Sequence, residues 1–529
     1  MKKLIACLAV IVLLFTACSV AEPQIDGTQI KLSDGKITVD GQEITNDNTQ
    51  AVYSANDIVF YPEGKDFKFG EGTKEDEHSQ SEADSHTVVH ITQPGTYVLS
   101  GKLSLGQIAV DLGEDAEENP EAVVTLILNG VDITCTVAPA VIFYNVYECG
   151  SDDEEIATKD VDTSKAGANV IIADGTENNI NGSYVAKIYK SYELSEDGTE
   201  VVDSKKLHKY DAAFYSKKTM NINGGEKGDG ILNIKAENEG LDTELHLTIN
   251  GGIINITAGN DGINTNEDNV SVTTINGGSL NILCDGGTGE GDGIDSNGWL
   301  VINGGAVNAQ ACSTSGDAGI DSDKGIYING GNVIATGNML DRIAGGEQTY
   351  AVFSFATRQK GDSTYTLKNA DGKVIGEYKP TNSFTYLIVA GDELIEGDYT
   401  FWHGDAQLSA VKTDGMMGGM PQGMRPDMFG GEMPEGFTPP EMPEGQMPDD
   451  FNPDDMPEGF EPPENMKGDG PEMPKGERPD GERPEMPEGM TPPDFMGGMP
   501  GGAPVSGESS VIFTITKGGN QFVNVSESK

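Results

Sequence analysis

Short acidic units recur in the middle of the chain, and their residue types suit the binding of a hard cation. The units are Glu239-Gly240-Leu241-Asp242, Asp261-Gly262-Ile263-Asn264, Asp292-Gly293-Ile294-Asp295 and Asp317-Ala318-Gly319-Ile320-Asp321. Carboxylate and amide oxygens suit Ca²⁺, which takes about six to eight oxygen ligands with little demand on geometry. Such a site requires a fold that brings the units together.

A second phrase, Ile-Asn-Gly-Gly, indicates that fold. It begins at Ile222, Ile249, Ile275, Ile302 and Ile328. Successive copies are 27, 26, 27 and 26 residues apart, and a fixed period in this range is typical of a solenoid whose coils bury their apolar sides by stacking. Apolar residues alternate after most copies, which indicates strands. The sequence therefore predicts an all-β parallel β-helix with coils about 4.8 Å apart.

Stacked coils would align the acidic units into columns on the outer side of the sheet. The predicted columns are Tyr215, Asp242, Asn264, Asp295 and Asp321, and beside them Lys217, Glu244, Asn266, Asn297 and Asp323. Two carboxylates about 4.8 Å apart repel by about 3.5 kcal/mol at an effective dielectric of about 20. Columns of this kind need a counter-charge.

We expect one or more Ca²⁺ ions between the coils. The predicted ligands form one group of Asp292, Asp295, Asn297, Asp321 and Asp323, and a second group of Asp242, Glu244, Asp261, Asn264 and Asn266. The alternative is structural, because Asp and Asn tolerate tight turns and bond their own backbone. We prefer the structural interpretation for the Asn-Gly-Gly corners and the metal interpretation for the acidic columns, since neutral Asn would serve a turn without repulsion.

Aromatic and polar side chains beside the columns are candidates for sugar binding. The same alternation places His246 and Trp299 outward, with Tyr327 on the next coil. A Trp ring face can pack on the C–H groups of a pyranose while a bound ion bridges to hydroxyls or a uronate, although Trp299 could equally be a surface aromatic under a loop. The predicted carbohydrate-binding residues are Trp299, Tyr327, His246, Tyr215 and Lys217.

The charge and the N-terminal segment bear on partners and location. The net charge of -52 argues against nucleic acid as a partner, because its binding relies on basic side chains.

The first residues resemble a leader: two lysines, an apolar run and Cys18 are typical of a bacterial lipoprotein, and the run is too short to span a bilayer. We expect cleavage after residue 17, an extracellular protein and membrane attachment only through a lipid on Cys18. An ordinary secretory signal is the alternative.

Changes in composition divide the chain into segments. We predict a leader at 1–17, a polar tether at 18–50, the β-helix at 51–350, a C-terminal β cap at 351–414, a disordered Met/Pro/Glu/Gly-rich insertion at 415–507, and a final cap strand and tail at 508–529. Two charged stretches, near 150–167 and 187–210, break the repeat and are expected to be loops projecting from coil corners. Of the remaining cysteines, Cys135 and Cys149 could pair.

Several motifs together resemble one known family. They are Gly95–Gly101, Val124–Gly130, the Ile-Asn-Gly-Gly corners, the acidic units and Ser383–Val389. They resemble the bacterial carbohydrate-binding domain-containing proteins, right-handed parallel β-helices related in fold to polysaccharide lyase family 9, over about 87–411. The resemblance implies a calcium-containing surface protein that binds cellulose and acidic sugars such as polygalacturonate. The Asp261 and Asp292 units match the family's calcium-bearing units, whereas the Glu239 and Asp317 units depart from them.

Three functions are compatible with these patterns. The first is a non-catalytic, cell-anchored polysaccharide-binding protein, which we prefer. The second is a calcium-dependent uronate lyase with Lys217 or Lys324 as the base. We expect Lys217 instead to pair with Glu244, because a lysine beside carboxylates stays protonated. The third is a structural or adhesive surface protein.

The predicted anchor is tested by metabolic labelling with a lipid precursor. The wild-type chain should incorporate the label, and Cys18→Ser should not, because the thiol is the acceptor. A wild-type chain that matures without label would contradict the lipid anchor and favour an ordinary secretory signal.

Overall fold

A computed structural model describes residues 25–195, 197–413 and 508–528 of the 529-residue chain. Helix in these residues is limited to α1 (Gln80–Ala83) and one 3-10 turn at Glu114–Ala116. The prediction of an all-β protein is therefore confirmed. No helix within these ranges is long and apolar enough to span a membrane. The predicted leader, Cys18 and the insertion at 415–507 lie outside the described residues.

The strands fall into three consecutive groups. Those before the repeats are β1 (Thr28–Leu32), β2 (Thr38–Val39), β3 (Gln42–Glu43), β4 (Val52–Ala55), β5 (Thr87–Ile91), β6 (Gly95–Leu103), β7 (Gly106–Asp111), β8 (Val124–Thr134), β9 (Val141–Asn145), β10 (Ala168–Ile172), β11 (Glu177–Gly182), β12 (Val185–Leu194) and β13 (Val201–Tyr210). Those of the repeats are β14 (Ala212–Ser216), β15 (Met220–Gly224), β16 (Ile231–Ala236), β17 (Glu239–Thr243), β18 (Leu247–Ile249), β19 (Ile253–Ala258), β20 (Ile263–Thr265), β21 (Val272–Ile275), β22 (Ser279–Cys284), β23 (Trp299–Ile302), β24 (Ala306–Gln310), β25 (Gly325–Ile328), β26 (Asn332–Gly337) and β27 (Ile343–Gly345). Those after the repeats are β28 (Tyr350–Gln359), β29 (Tyr365–Asn369), β30 (Val374–Tyr378), β31 (Phe384–Ala390), β32 (Gly397–His403), β33 (Ala406–Thr413), β34 (Phe513–Ile515) and β35 (Gly519–Glu527).

Each complete coil contributes one strand to each of three stacks. Stack 1 contains β14, β17 and β20, stack 2 contains β15, β18 and β21, and stack 3 contains β16, β19 and β22, with parallel pairing inside each stack. Stacks 2 and 3 continue through β23 to β26 in the same way. Parallel pairing between successive coils is the arrangement that the repeat predicts. The right-handed direction of winding stays a prediction.

The Ile-Asn-Gly-Gly phrase serves the interior and the corner of each coil. Its five isoleucines pair in one column and are buried. Its asparagines hydrogen-bond to one another from coil to coil, as in the 2.9 Å bond from Asn276 Nδ2 to Asn250 Oδ1. The last glycine of the phrase takes a positive φ in four copies, for example 86° at Gly278, which favours glycine. The structural interpretation of these corner asparagines therefore agrees with the structure.

The first coil starts earlier than the sequence predicts. Within the segment predicted as a tether, β1 pairs in parallel with β6, with Ile30 opposite Leu99. Ile30 and Leu32 are buried in the solenoid core. The described part of that segment is therefore a coil strand with two short flanking strands, and the tether prediction is wrong there. Alternating apolar residues in β1 carry the signal for this strand.

A largely antiparallel sheet with its own aromatic core follows the last coil. Strand β31 pairs antiparallel with both β26 and β28, and β35 pairs with β28 and β33. Phe353 lies at the centre of this core, with ring centroids 4.3 Å from Phe401 and 5.5 Å from Phe522. Through β31 this sheet covers the exposed edge of stack 3, which would otherwise invite association with another strand.

The glycine of the acidic units is required by coil packing. A Cβ on Gly293 would collide with the backbone oxygen of Gly319 and lie 2.9 Å from the Cβ of Ala309. Gly293→Ala should therefore lower the free energy of unfolding by about 1–3 kcal/mol, measured by urea denaturation. Gly316→Ala is the control, because a Cβ there meets nothing within 4 Å. Equal stability of the two variants would contradict this account of coil packing.

Candidate metal and carbohydrate site

The register of stack 1 brings the acidic units of successive coils together. Asp242 pairs with Asn264, and Ile263 forms a bridge with Ile294. The large apolar residue just before the last position of each unit is completely buried in the core. The flanking polar residues therefore repeat from coil to coil at the spacing of paired strands, about 4.8 Å.

Three carboxylates meet at the start of this arrangement, and we call Asp211, Glu239 and Asp242 the acidic trio. One carboxylate oxygen from each lies within 4.8 Å of the others, and all three residues are buried. The amide of Asn264 adjoins them, since its Nδ2 donates to Glu239 Oε1 at 3.2 Å. Together these side chains form a compact set of oxygen atoms.

Several of these oxygens are buried without a hydrogen-bond partner among the described residues. They are Oε2 of Glu239, Oδ2 of Asp242 and Oδ1 of Asn264. Leaving one buried polar group unsatisfied costs about 1–3 kcal/mol, and more for a charged group. Oxygens of this kind are the ligands that a hard cation takes, so the residues present fit such an ion.

A hairpin supplies the positive charges near the acidic trio. Strands β12 and β13 pair antiparallel within the stretch that the sequence predicts to be a loop. Both lysines belong to β13. Lys206 Nζ lies 2.7 Å from Glu244 Oε1, and Lys209 Nζ lies 2.6 Å from the Oδ2 of Asp211, which directly follows the hairpin. One lysine paired with Asp211 does not neutralise three carboxylates.

Burial and mutual repulsion disfavour the charged forms of the acidic trio. Burial raises the pKa of Glu239 well above its ordinary value, and the charge of Asp242 adds to this. Burial likewise raises the pKa of Asp242, with Asp211 and Glu244 as further causes. Without a cation these groups hold protons, and a bound cation would displace them.

A second acidic group, the Asp column, continues along the same face and consists of Asp261, Asp292, Asp295, Asp321 and Asp341. Burial raises the pKa of Asp261 and of Asp295 to about 7, and that of Asp321 to about 8. Burial also raises the pKa of Asp292 well above its ordinary value, with the charge of Asp261 as the next cause. The Asp261 carboxylate accepts from the Asp292 N–H at 2.6 Å. The column is therefore a second crowded set of oxygens.

The structure brings together only three of the five predicted ligands of the first group. Asp292, Asp295 and Asp321 lie together in the Asp column. Asp323 is exposed and acts on Asp295 only as a neighbouring charge. The amide of Asn297 is directed elsewhere, since its Nδ2 donates to Asp268 Oδ1 at 3.0 Å and to the Asn266 backbone oxygen.

The second predicted group divides in the same way. Asn266 Nδ2 donates to Asp242 Oδ1 at 2.8 Å, and Asn264 donates in turn to Asn266 Oδ1. Asp261 adjoins the Asp column. Glu244 is neutralised by Lys206, so the expectation that Lys217 is its partner is wrong. Alternation places Lys217 correctly beside Glu244, but it gives no information about the hairpin that brings Lys206 closer.

Two of the predicted carbohydrate-binding residues are not accessible. Tyr215 is 1% exposed, its hydroxyl donates to Glu244, and its ring packs on Tyr210 of the hairpin. His246 is 3% exposed and lies under the insertion near Gly150. Burial lowers the pKa of His246 to about 4. The prediction that these two residues bind sugar is therefore wrong, because inserted segments cover the side of the coils that they face.

The other predicted carbohydrate-binding residues remain partly accessible. Trp299, Tyr327 and Lys217 are half-buried. Trp299 pairs with Val272 on one side and Gly325 on the other, so it lies in stack 2 rather than beside the acidic trio. The Nζ of Lys159 lies 5.2 Å from the ring centroid of Tyr327. These two aromatic residues therefore belong to a different surface from the acidic groups.

Three acidic residues of the site are missing from the ligands predicted above. Glu239 opens its acidic unit, and the repeat itself is the signal for including it. Asp211 precedes Ala212, the partner of Glu239, and therefore lies one position outside the repeated offset. Asp341 accepts a hydrogen bond from the Ser322 N–H at 3.1 Å. It follows the last copy of the Ile-Asn-Gly-Gly phrase in the sequence. No repeat signal marks these last two residues.

Comparison with known proteins identifies the family. The profile described as "Carbohydrate-binding domain-containing protein" matches residues 85–375, more than half of the chain. The chain belongs to this family.

A curated relative with the same description, from Acetivibrio thermocellus, is 30% identical over 169 residues. The match covers 32% of this chain and 44% of the relative, so the chain spans less than half of that protein's length. A solved polysaccharide lyase-like protein from C. thermocellum, a gadolinium derivative, has a TM-score of 0.30 and 21% identity over 58% of this chain and 93% of its own. A TM-score of this size carries no argument. Family membership supports carbohydrate as the general class of ligand.

The stability of this family member should depend on pH through the Asp column. In the metal-free protein, carboxyls with folded pKa values of about 7 to 8 hold protons that the unfolded chain has lost. Stability should therefore fall as pH rises from about 4, where the carboxyls of the unfolded chain lose their protons, through about 8, where those of the folded protein do. Saturating Ca²⁺ should remove this loss and add about 2.7 kcal/mol for each site at one hundred times its Kd. Burial lowers the folded pKa of His246 to about 4, so its effect has the opposite sign and ends near pH 6.5, about where the unfolded imidazole loses its proton.

Urea denaturation at about pH 7 and about pH 9, with chelator or with Ca²⁺, measures the last part of this loss, where His246 no longer titrates in either state. Equal stability of the chelated protein at about pH 7 and about pH 9, with no gain on adding Ca²⁺, would contradict the assignment of raised pKa values to the Asp column.

Proposed function

We propose that the chain binds polysaccharide through Ca²⁺ ions held between coils on the acidic face of stack 1, without catalysing a reaction. The observation that carries the proposal is the set of buried, unpartnered oxygens on Glu239, Asp242 and Asn264. Asp211, Glu239, Asp242 and Asn264 would hold one ion. Oxygens of the Asp column would hold another, and the combined charge of each set suits a divalent cation.

The charge of the protein explains why an acidic polysaccharide would need the ion. The chain has a net charge of -52, and the acidic face adds local repulsion against a uronate. A bound Ca²⁺ would offset this repulsion and offer coordination positions to a sugar carboxylate or hydroxyl. We therefore propose acidic sugars such as polygalacturonate as ligands, with cellulose as a second class that the family resemblance implies.

The lysines near the acidic groups support binding over catalysis. Burial disfavours the charge on Lys209, but Asp211 and the other carboxylates outweigh it and raise its pKa. A protonated lysine is a poor base for removing a C5 proton. Lys324 Nζ lies 3.7 Å from Glu154 Oε1, so it pairs with a carboxylate of the insertion rather than standing free as a base. The lyase alternative needs a neutral base that this arrangement disfavours.

We retain the extracellular, lipid-anchored location as part of the proposal. It is supported by the leader pattern and Cys18 in the sequence. Polysaccharides of cell walls and biomass are outside the cell, so a protein anchored on the outer side of the membrane would meet them directly.

Calorimetry with Ca²⁺ and polygalacturonate tests the proposal. Asp242→Asn and Asp295→Ala should each weaken Ca²⁺ binding at least tenfold, about 1.4 kcal/mol, because each removes a carboxylate from one crowded set. Binding of polygalacturonate should require Ca²⁺ and weaken in the same variants. The control is Asp285→Asn, which removes an exposed charge from outside both acidic sets.

Two results would count against the proposal. If Asp242→Asn and Asp295→Ala both bind Ca²⁺ with wild-type heats, the acidic trio and the Asp column are not the ion sites. If the wild-type protein with Ca²⁺ releases unsaturated uronate products from polygalacturonate, the protein is a lyase and the non-catalytic assignment is wrong.

A further inference from the structure

A groove of about 510 Å³ lies on stack 2, away from the acidic groups. One wall is formed by the insertion residues Lys159 to Ser164, and the other by the outer sides of β15, β18, β21 and β23 with the adjoining corners. The acidic trio and the Asp column belong to stack 1. The groove is therefore a separate surface.

The groove presents amide and hydroxyl groups that repeat with the coils. Asn221, Thr248, Thr274 and Val301 follow one another in register along its floor. Beside them runs the hydrogen-bonded ladder of corner asparagines, which includes Asn250, Asn276, Asn303 and Asn329. A polymer lying along the solenoid axis would meet a corner amide at each coil, about every 4.8 Å.

One buried acceptor in the groove lacks a partner. Asn221 is 5% exposed, and its Nδ2 donates to the Thr163 backbone oxygen at 2.8 Å and to Asn169 Oδ1 at 3.1 Å. These bonds fix the direction of the amide. Its Oδ1 has no hydrogen-bond partner among the described residues, although the residue lines the groove. A hydroxyl donor from a ligand would satisfy this oxygen.

The groove carries few charges, all of them on the insertion wall. Lys159 Nζ lies 2.7 Å from Asp160 Oδ1, and the Asp162 carboxylate accepts from the Ser164 N–H at 3.0 Å. The opposite wall carries only neutral residues. A neutral ligand rich in hydroxyl groups fits this lining, whereas a polyanion would enter the field of a strongly acidic protein without a cation to offset it.

We propose that this groove is a second sugar-binding site, which takes a neutral polysaccharide chain along the solenoid axis without Ca²⁺. The inference rests on the proposed function for polysaccharide as the ligand class and adds a second site with its own specificity. Tyr327 follows Val301 in register and places an aromatic ring on the next coil, just beyond the groove lining.

Calorimetry of the full-length protein tests the groove with two probes. Cellohexaose in the presence of chelator is the neutral probe, and polygalacturonate with Ca²⁺ is the acidic one. Thr274→Trp should fill the groove and weaken cellohexaose binding at least tenfold, with polygalacturonate binding unchanged. Asn276→Ala removes one amide and should weaken cellohexaose binding by a smaller factor, which gives a second readout if the tryptophan variant fails to fold.

The matched control is Asn281→Ala on stack 3. Its Nδ2 donates to Asn255 Oδ1 at 3.0 Å, an amide bond between coils like that from Asn276 to Asn250 at 2.9 Å. The control should bind cellohexaose like the wild type. Absence of cellohexaose binding in the wild type, loss of that binding with chelator, or equal binding by Thr274→Trp would overturn the groove proposal. If the wild type binds cellohexaose but not polygalacturonate, the result would count against the acidic face as a sugar site and would support the groove.

Discussion

Parallel, in-register pairing of successive coils is the constraint on which the rest of the structure depends. It places equivalent side chains about 4.8 Å apart along the axis, whatever their chemistry. For Ile249 and its equivalents this produces a continuous apolar core, and for Asn250 and its equivalents a ladder of amide hydrogen bonds. For acids it produces repulsion, which a fold of this kind relieves only with protons, lysines or cations.

The two insertions make that repulsion more severe and also shape the surfaces around it. The hairpin of β12 and β13 covers the acidic trio, which removes water and raises the pKa of Glu239 and Asp242. The insertion near 150–167 buries His246 and forms one wall of the groove on stack 2. Binding surfaces on this solenoid therefore arise where an irregular segment lies against a regular face, as is common for functional loops on rigid scaffolds.

The repeat made part of this arrangement predictable. Period and offset were enough to align Asp242 with Asn264 and to place the isoleucines inside, because register follows directly from spacing in a solenoid. They were not enough to show that Tyr215 and His246 are covered, since alternation fixes the direction of a side chain but not what lies above it. Lys206 lies in the hairpin and Asp211 directly follows it, and no periodic pattern carries information about their positions.

A crystal structure of the protein grown with Ca²⁺ tests the central claim most directly, that crowded acids on stacked coils hold a divalent ion. The account predicts a density peak about 2.3–2.6 Å from carboxylate oxygens of Asp211, Glu239 and Asp242, with another in the Asp column. A structure with no ion at either set, in which the carboxyls hydrogen-bond to one another as protonated pairs, would contradict it.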